Sequence, residues 1–424
     1  MSRLFILWLV FATSITWAQE AVPELQPLTL PQAAERVLQQ NPRLRSAEFS
    51  REVAAADLEQ AELKTQWSVD LAVEDFLGTG MASGFDASET TLRLSRIFEP
   101  SDIWSGRISV ASAQGNNVNN ALEAERLDLM ALLARRFLEV VYQQEQYALA
   151  EDEVDTWLRA GELALEQERA GAAPAVHRLR TDIRTANANL VLKSAGRDLD
   201  AARVQLAAAW GDATFKFSRA KASLCSLSKL PPFESLAEQI ERNPDVLRFA
   251  TERRLYEAQA QLADARRQPS WTLSAGVRHF ASVDDQALVV GVSVPLGSGS
   301  RAAPQVRRSR ALHQQATLEE QAVRADIRAT LYELYQAARQ MVTEVELFNH
   351  EILPRAIEIV KQSEDGYRLG RFSHLELMNA QAELLAARAA RLTACTNHHL
   401  YLIDIERLTG GGSISLTTEG GVSP

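Results

Sequence analysis

The chain carries few side chains able to do chemistry, and their spacing argues against a reactive centre. His398 and His399 are adjacent, so on a helix they point in different directions and make a poor chelate. Adding His350, His374 or His279 produces no metal-ligand spacing. Ser298 lies in the Gly-Ser turn "PLGSGSR", which lacks the order of a nucleophile elbow. The chain has no phosphate-binding loop, dinucleotide fingerprint or HExxH helix. Cys225 and Cys395 are the only two cysteines, far too few for a disulfide scaffold. They could pair in an oxidising compartment, and the sequence leaves that open. The reading is of a chain that is not an enzyme, holds no cofactor and builds no metal site. A net charge of −10 gives no support to a nucleic-acid partner.

Two turns are more informative than any side-chain cluster. "ERAGAAPAVHRLR" (168–180) and "YRLGRFSHLELMNA" (367–380) occupy matching places in two halves of the chain. In each, a glycine (Gly171, Gly370) suits the left-handed position that ends an outgoing helix, and Pro174 or Ser373 begins the return. Both are ordinary helix–helix turns at the first level, and their exposed tips are candidates for docking a partner. The helices they join are long. One hairpin is expected over 120–210 with its tip near 171, the other over 302–408 with its tip near 370, with Pro354 bending or interrupting the second. A helix of about fifty residues reaches roughly 75 Å, too long for the interior of a compact globule. Coiled hairpins or a tube wall fit better.

Ahead of each hairpin the same plan is repeated. "QQNPRLRSAEF" and "IERNPDVLRFA" each place an Asn-Pro helix start (Asn41-Pro42, Asn243-Pro244) before an alanine-rich amphipathic helix. Thr29 and Gln32 are spaced as a capping box for a short helix before the first. Each amphipathic helix gives way to two stretches of period-two alternation, at 67–76 and 89–98 in the first half and at 270–281 and 286–296 in the second. Trp67, Val69, Leu71 and Val73 share one face. Leu288, Val290, Val292, Val294 and Leu296 share another. About ten residues of this period fit a tilted membrane strand with one lipid face, although an ordinary half-buried strand would look alike.

These features divide the chain into a secretory signal (1–18), a first repeat (19–210), an inter-repeat segment (211–231), a second repeat (232–409) and a flexible tail (410–424). The signal reading rests on Arg3, the apolar run Leu4–Phe11 and small residues at Thr16 and Ala18; a single membrane anchor is the alternative. Four strands cannot close a barrel, and an open edge is not tolerated in hydrocarbon, so membrane strands of this kind require several chains.

The arrangement resembles the TolC family of outer-membrane factors. The residues that carry the likeness are the duplicated Asn-Pro segments, "ETTLRLSRIFE", "LVVGVSVPLGSGSR" and "YRLGRFSHLELMNAQAEL". "VEDFLGTG" with "GFDASETTLRLS" is similar to the branch serving cobalt–zinc–cadmium efflux. The resemblance implies a mixed α/β membrane protein, internally duplicated, whose homotrimer forms a twelve-stranded β-barrel, four strands per chain, continuing into a long periplasmic α-helical barrel. It implies an outer-membrane exit duct served by a periplasmic adaptor and an inner-membrane, proton-driven pump, with divalent heavy-metal cations as cargo. The alternatives are a duct for drugs or organic solutes, or a periplasmic adaptor or coiled-coil structural protein. The family's tip pattern falls on Tyr367, Arg368, Leu369, Gly370 and Ser373. The first tip departs from it with Arg169, Ala170, Gly171 and Pro174, which leaves open whether both tips dock equally. The residues matching the family's acidic aperture are Glu376 and Asn379, of which only Glu376 carries charge. A solvated helix-face glutamate is the plainer reading of that residue.

Overall fold

The computed structural model describes residues 26–411. The expected signal sequence and the tail beyond Gly411 lie outside them. The first half runs through α1 (Leu30–Gln40), α2 (Pro42–Glu62), β1 (Trp67–Glu74), β2 (Glu89–Phe98), α3 (Ser101–Arg169) and α4 (Val176–Ala207). The second runs through α5 (Phe233–Gln239), α6 (Pro244–Ala265), β3 (Trp271–Phe280), β4 (Asp285–Ser293), α7 (Ser298–Leu347), α8 (Leu353–Arg368) and α9 (His374–Thr409). The Thr29–Gln32 capping box forms at the start of α1, with the Thr29 N–H donating to Gln32 Oε1 at 3.0 Å.

Both Asn-Pro helix starts do more than cap. Asn41 Oδ1 accepts from the N–H groups of Arg43 and Leu44 at 2.7 and 3.2 Å, while its Nδ2 donates to the Ala209 carbonyl at 2.7 Å. Asn243 Oδ1 accepts from the Asp245 N–H at 2.8 Å, and its Nδ2 reaches the Arg407 and Leu408 carbonyls at 3.0 and 2.8 Å. Each asparagine is buried and fastens the start of a repeat to the end of that repeat's return helix. Just past each of those ends stands a left-handed glycine, Gly211 or Gly410, whose missing side chain lets the chain close against Pro42 or Asn243.

Two helix boundaries differ from expectation. The helix of the first hairpin starts at Ser101, nineteen residues before 120, and runs for 69 residues. "SGRISVASAQGNNVNN" has poor helix propensity, but packing against α6 overrides it. Gly106 allows this close approach: a Cβ there would lie 3.1 Å from the Leu262 side chain. In the second hairpin, the helix interrupted by Pro354 resolves into α7, a π turn at Phe348–Ile352, and α8. The wider turn just ahead of Pro354 absorbs its ring and missing N–H while the helix continues.

The four strands form one antiparallel sheet in the order β1-β2-β3-β4. Register places Val69, Leu94, Ala275 and Val290 in one row and Leu71, Leu92, Val277 and Leu288 in the next, all on the outward face. The opposite face is polar, with Ser68, Ser95 and Ser274 in one row and Asp70 beside Arg93 in another. Thr91 is only 1% exposed on that polar face, whereas Leu92 beside it is 55% exposed. The sheet therefore curls toward its polar side, where Arg278 lies across Thr91 to reach Glu89 at 2.7 Å. Gly276 permits the curl, because a Cβ there would sit 2.4 Å from the Leu92 carbonyl oxygen. The core lies elsewhere, around the middle of the long helices. There Phe137, Leu138 and Val141 of α3 pack with α1, the end of α4, Phe217 and Leu224 of the inter-repeat segment, and Cys395 of α9. Cys225 and Cys395 are disulfide-bonded within it, 170 residues apart in sequence. Among the described residues no helix is long and apolar enough to cross a membrane.

Candidate functional site: the paired hairpin tips

The two tips share one backbone solution. Ala172 and Ala173 both donate to the Gln167 carbonyl, at 2.9 and 3.1 Å; Arg371 and Phe372 both donate to the Gly366 carbonyl, at 2.7 and 3.1 Å. Gly171 and Gly370 take the left-handed conformation, with φ of 70° and 69°. A side chain at either would meet open space, so glycine serves conformation there, not packing. Pro174 opens the return to α4, its carbonyl accepting from the His177 N–H at 3.0 Å. Ser373 caps α9 in a capping box with Glu376.

The side chains make the tips unlike. Tip two exposes Leu369, Phe372 and Leu375, whereas tip one is small and alanine-rich until Val176 and Leu179. Gly366 is buried under Phe372; a Cβ there would lie 2.3 Å from the phenyl ring. Arg169 is exposed, and Arg368 pairs with Glu364 one turn back at 3.1 Å. Tyr367 alone of the eight expected docking residues turns inward. Burial raises its pKa, and its hydroxyl lies 3.2 Å from His177 Nδ1 of α4.

Sequence spacing alone does not reveal a cluster that joins the tips. His177 stacks on His374 with ring centroids 4.7 Å apart and planes 10° from parallel, and Tyr367 closes the group. His374 is 2% exposed, and neither ring nitrogen reaches a hydrogen-bond partner. Burial first, then the neighbouring His177 and Arg180, push its pKa down to about 4. The histidines lie 197 residues apart, and only the alignment of the two turns would have brought them side by side. The pair His398–His399 is structural: His398 Nδ1 lies 3.2 Å from the Ala338 carbonyl and His399 Nε2 lies 2.7 Å from that of Leu224.

Glu376 is exposed and held at its own helix start. Its carboxylate accepts the Ser373 N–H at 2.6 Å while its N–H donates to Ser373 Oγ at 3.2 Å. These bonds lower its pKa, keeping the group charged. Asn379, one turn on, is exposed.

Residues 236–411 match the family model described as outer membrane efflux protein. The chain is 26% identical over 309 residues to the cobalt-zinc-cadmium resistance protein CzcC of Cupriavidus metallidurans, covering 72% of this chain and 73% of that protein. It superposes on the structure of CusC with a TM-score of 0.78 at 15% identity, covering 92% of this chain and 93% of that one. The open-state outer membrane channel MtrE of Neisseria gonorrhoeae gives 0.73 at 17% identity, over 92% and 91%. The chain thus shares the fold of these outer-membrane channels, a small antiparallel sheet joined to long helical hairpins.

Proposed function

We propose that this chain is one subunit of a homotrimeric exit duct in a tripartite efflux system. The carrying observation is the sheet: apolar outward, polar inward, with β1 and β4 each unpaired on one side. In hydrocarbon such edges must be covered. The order β1-β2-β3-β4 lets β1 of one copy meet β4 of the next, and three copies of four strands close a twelve-stranded barrel. The long helices of the three copies continue it as a tube into the periplasm.

The tips are then the docking points for a periplasmic adaptor, which couples the duct to a proton-driven pump in the inner membrane. Arg169, Gly171 and Pro174 shape one tip; Tyr367, Arg368, Leu369, Gly370 and Ser373 shape the other. Tip two, with Leu369 and Phe372 outward, is the stronger apolar anchor. Glu376 and Asn379 line the aperture, where three copies of a charged Glu376 favour cations. Its place in the α9 cap competes with that role, so Glu376→Gln should alter single-channel cation preference in a planar bilayer. Unchanged currents would assign the residue to the cap alone.

Cargo follows from the inner face. Asp70, Glu74 and Glu89 share it with Arg93 and Arg278, and among the described residues no cluster of side chains could hold a metal ion. A wide, mixed-charge lumen sorts its contents weakly. The duct therefore passes drugs or organic solutes as well as ions, and selection rests with the pump. The narrower reading, divalent heavy-metal cations alone, draws on the likeness to the cobalt-zinc-cadmium resistance protein. A deletion strain tested against zinc, cobalt and cadmium salts and against organic toxicants separates them. Sensitivity to both classes supports the unselective duct, sensitivity to metals alone supports the narrower one, and an unchanged profile refutes an efflux role.

A further inference from the structure

One end of the outward sheet face breaks its apolar pattern. Trp67 begins β1, Trp271 begins β3, and Trp104 stands in the first turns of α3, so three of the chain's seven tryptophans gather where the sheet meets the helices. Within this belt lies Arg96. Register sets it between Trp67 on β1 and Leu273 on β3, on the same face as Leu94 and Val69. Its guanidinium carbon is 5.2 Å from the Trp67 ring centre and 5.6 Å from that of Phe98, which stacks on Trp271 at 4.4 Å. Lys64 stands at the same end, 5.7 Å from the Trp104 ring.

Cation–π contacts orient a guanidinium but leave its charge uncompensated. Arg96 joins no ion pair among the described residues, and its Nε is buried without a hydrogen-bond partner. The acids of these strands, Asp70, Glu74 and Glu89, lie on the opposite face, and Glu99 is engaged by Arg107 at 2.6 Å. Surrounding aromatics of this kind settle at the headgroup level of a bilayer. A guanidinium held there presents a planar fork suited to two phosphate oxygens. A guanidinium on a strand face that carries no carboxylate matches a headgroup of net negative charge better than a zwitterion.

We propose that Arg96, framed by Trp67 and Phe98, binds the phosphate of an anionic phospholipid in the leaflet nearer the helical portion. This rests on the membrane-barrel reading above. The test uses the full-length trimer, delipidated in detergent and titrated with phosphatidylglycerol or phosphatidylcholine of identical acyl chains, with bound lipid counted by native mass spectrometry. The wild type should favour phosphatidylglycerol by about fivefold, the effect of one cation near the surface. Arg96→Gln should bring the ratio close to one, while Arg96→Lys, keeping charge but losing the fork, should fall between. No preference in the wild type, or an unchanged preference in Arg96→Gln, overturns the assignment. So does loss of the preference in millimolar inorganic phosphate, which would make the site one for a free anion. Failure to recover a membrane-inserted trimer at all would instead refute the barrel reading.

Discussion

Acidification should loosen the contact between the two tips, and the size of the effect can be worked from His374. Its imidazole is held neutral: burial, with His177 and Arg180 adding repulsion, puts its pKa at about 4 against an ordinary 6.5. The ionisable groups facing it are His177 and Arg180 of α4 and Tyr367 of α8. When the tips part, His374 reaches water and regains its ordinary pKa. The parted state therefore binds the extra proton, so closure is at full strength above about pH 6.5 and weakens as pH falls toward 4. Linkage gives about 2 kcal/mol lost at pH 5, a roughly thirtyfold rise in the parted population, with a ceiling of about 3 kcal/mol. Hydrogen exchange of the amides around 366–380, corrected for the intrinsic pH dependence of exchange, reads that population directly. His374→Phe preserves an aromatic stack on His177 without a titrating group, so its exchange should be nearly independent of pH. If the wild type shows no acceleration between pH 7.5 and 5, or His374→Phe shows the same acceleration, the reasoning fails.

Three further outcomes follow from the packing. Asn243→Ser keeps a capping oxygen but loses both bonds to the Arg407 and Leu408 carbonyls, and Asn243→Ala loses the cap as well. Stability should fall by about 1–2 kcal/mol and then by about 1 more, read as stepwise drops in melting temperature. Reducing the Cys225–Cys395 disulfide, or replacing both cysteines by serine, should cost about 2–4 kcal/mol, seen as a lower melt in reductant; coincident melts would refute a stabilising role. Gly366→Ala forces Phe372 off its seat and should cost about 1–3 kcal/mol, loosening tip two in hydrogen exchange while tip one keeps its protection.

What could be read from the sequence was local. The outward rows of β1 and β4 were legible because period-two alternation depends only on neighbours, although β4 ends at Ser293, before the expected Val294 and Leu296 and ahead of Pro295. Gly171 and Gly370 were legible because a helix end needs a left-handed residue whatever surrounds it. What could not be read was set by distant partners. Asn41 and Asn243 announce helix starts, but their Nδ2 atoms bond carbonyls 168 and 164 residues away. The stretch from Ser101 has the composition of a loop and becomes helix through its contact with α6. The disulfide and the His177–His374 stack are juxtapositions of the same kind. Tyr367 matches the expected docking pattern, yet its side chain faces the other tip.

The distribution of these contacts locates where the chain can yield. Its middle is fastened by the large core, by the disulfide and by both asparagine links. The tips are held by a small cluster of Leu163, Tyr367 and Leu377, by the histidine stack, and by solvent-screened ion pairs such as Arg178–Glu168, which contribute little. Between the two, in the second hairpin, lies the π turn at Phe348–Ile352, with Val345 of the core before it and Tyr367 of the tip beyond. A π turn already departs from the regular hydrogen-bond ladder and bends at little further cost. Movement of tip two should therefore pivot there and leave the middle intact. Protection of α7 and α8 amides should step down across 348–352. Rebuilding that turn as regular helix, by deleting one of its residues together with Pro354→Ala so that no proline ring is left in the ladder, should slow tip opening without lowering the melting temperature of the core. Protection that declines evenly from core to tip would show instead that the whole helix flexes.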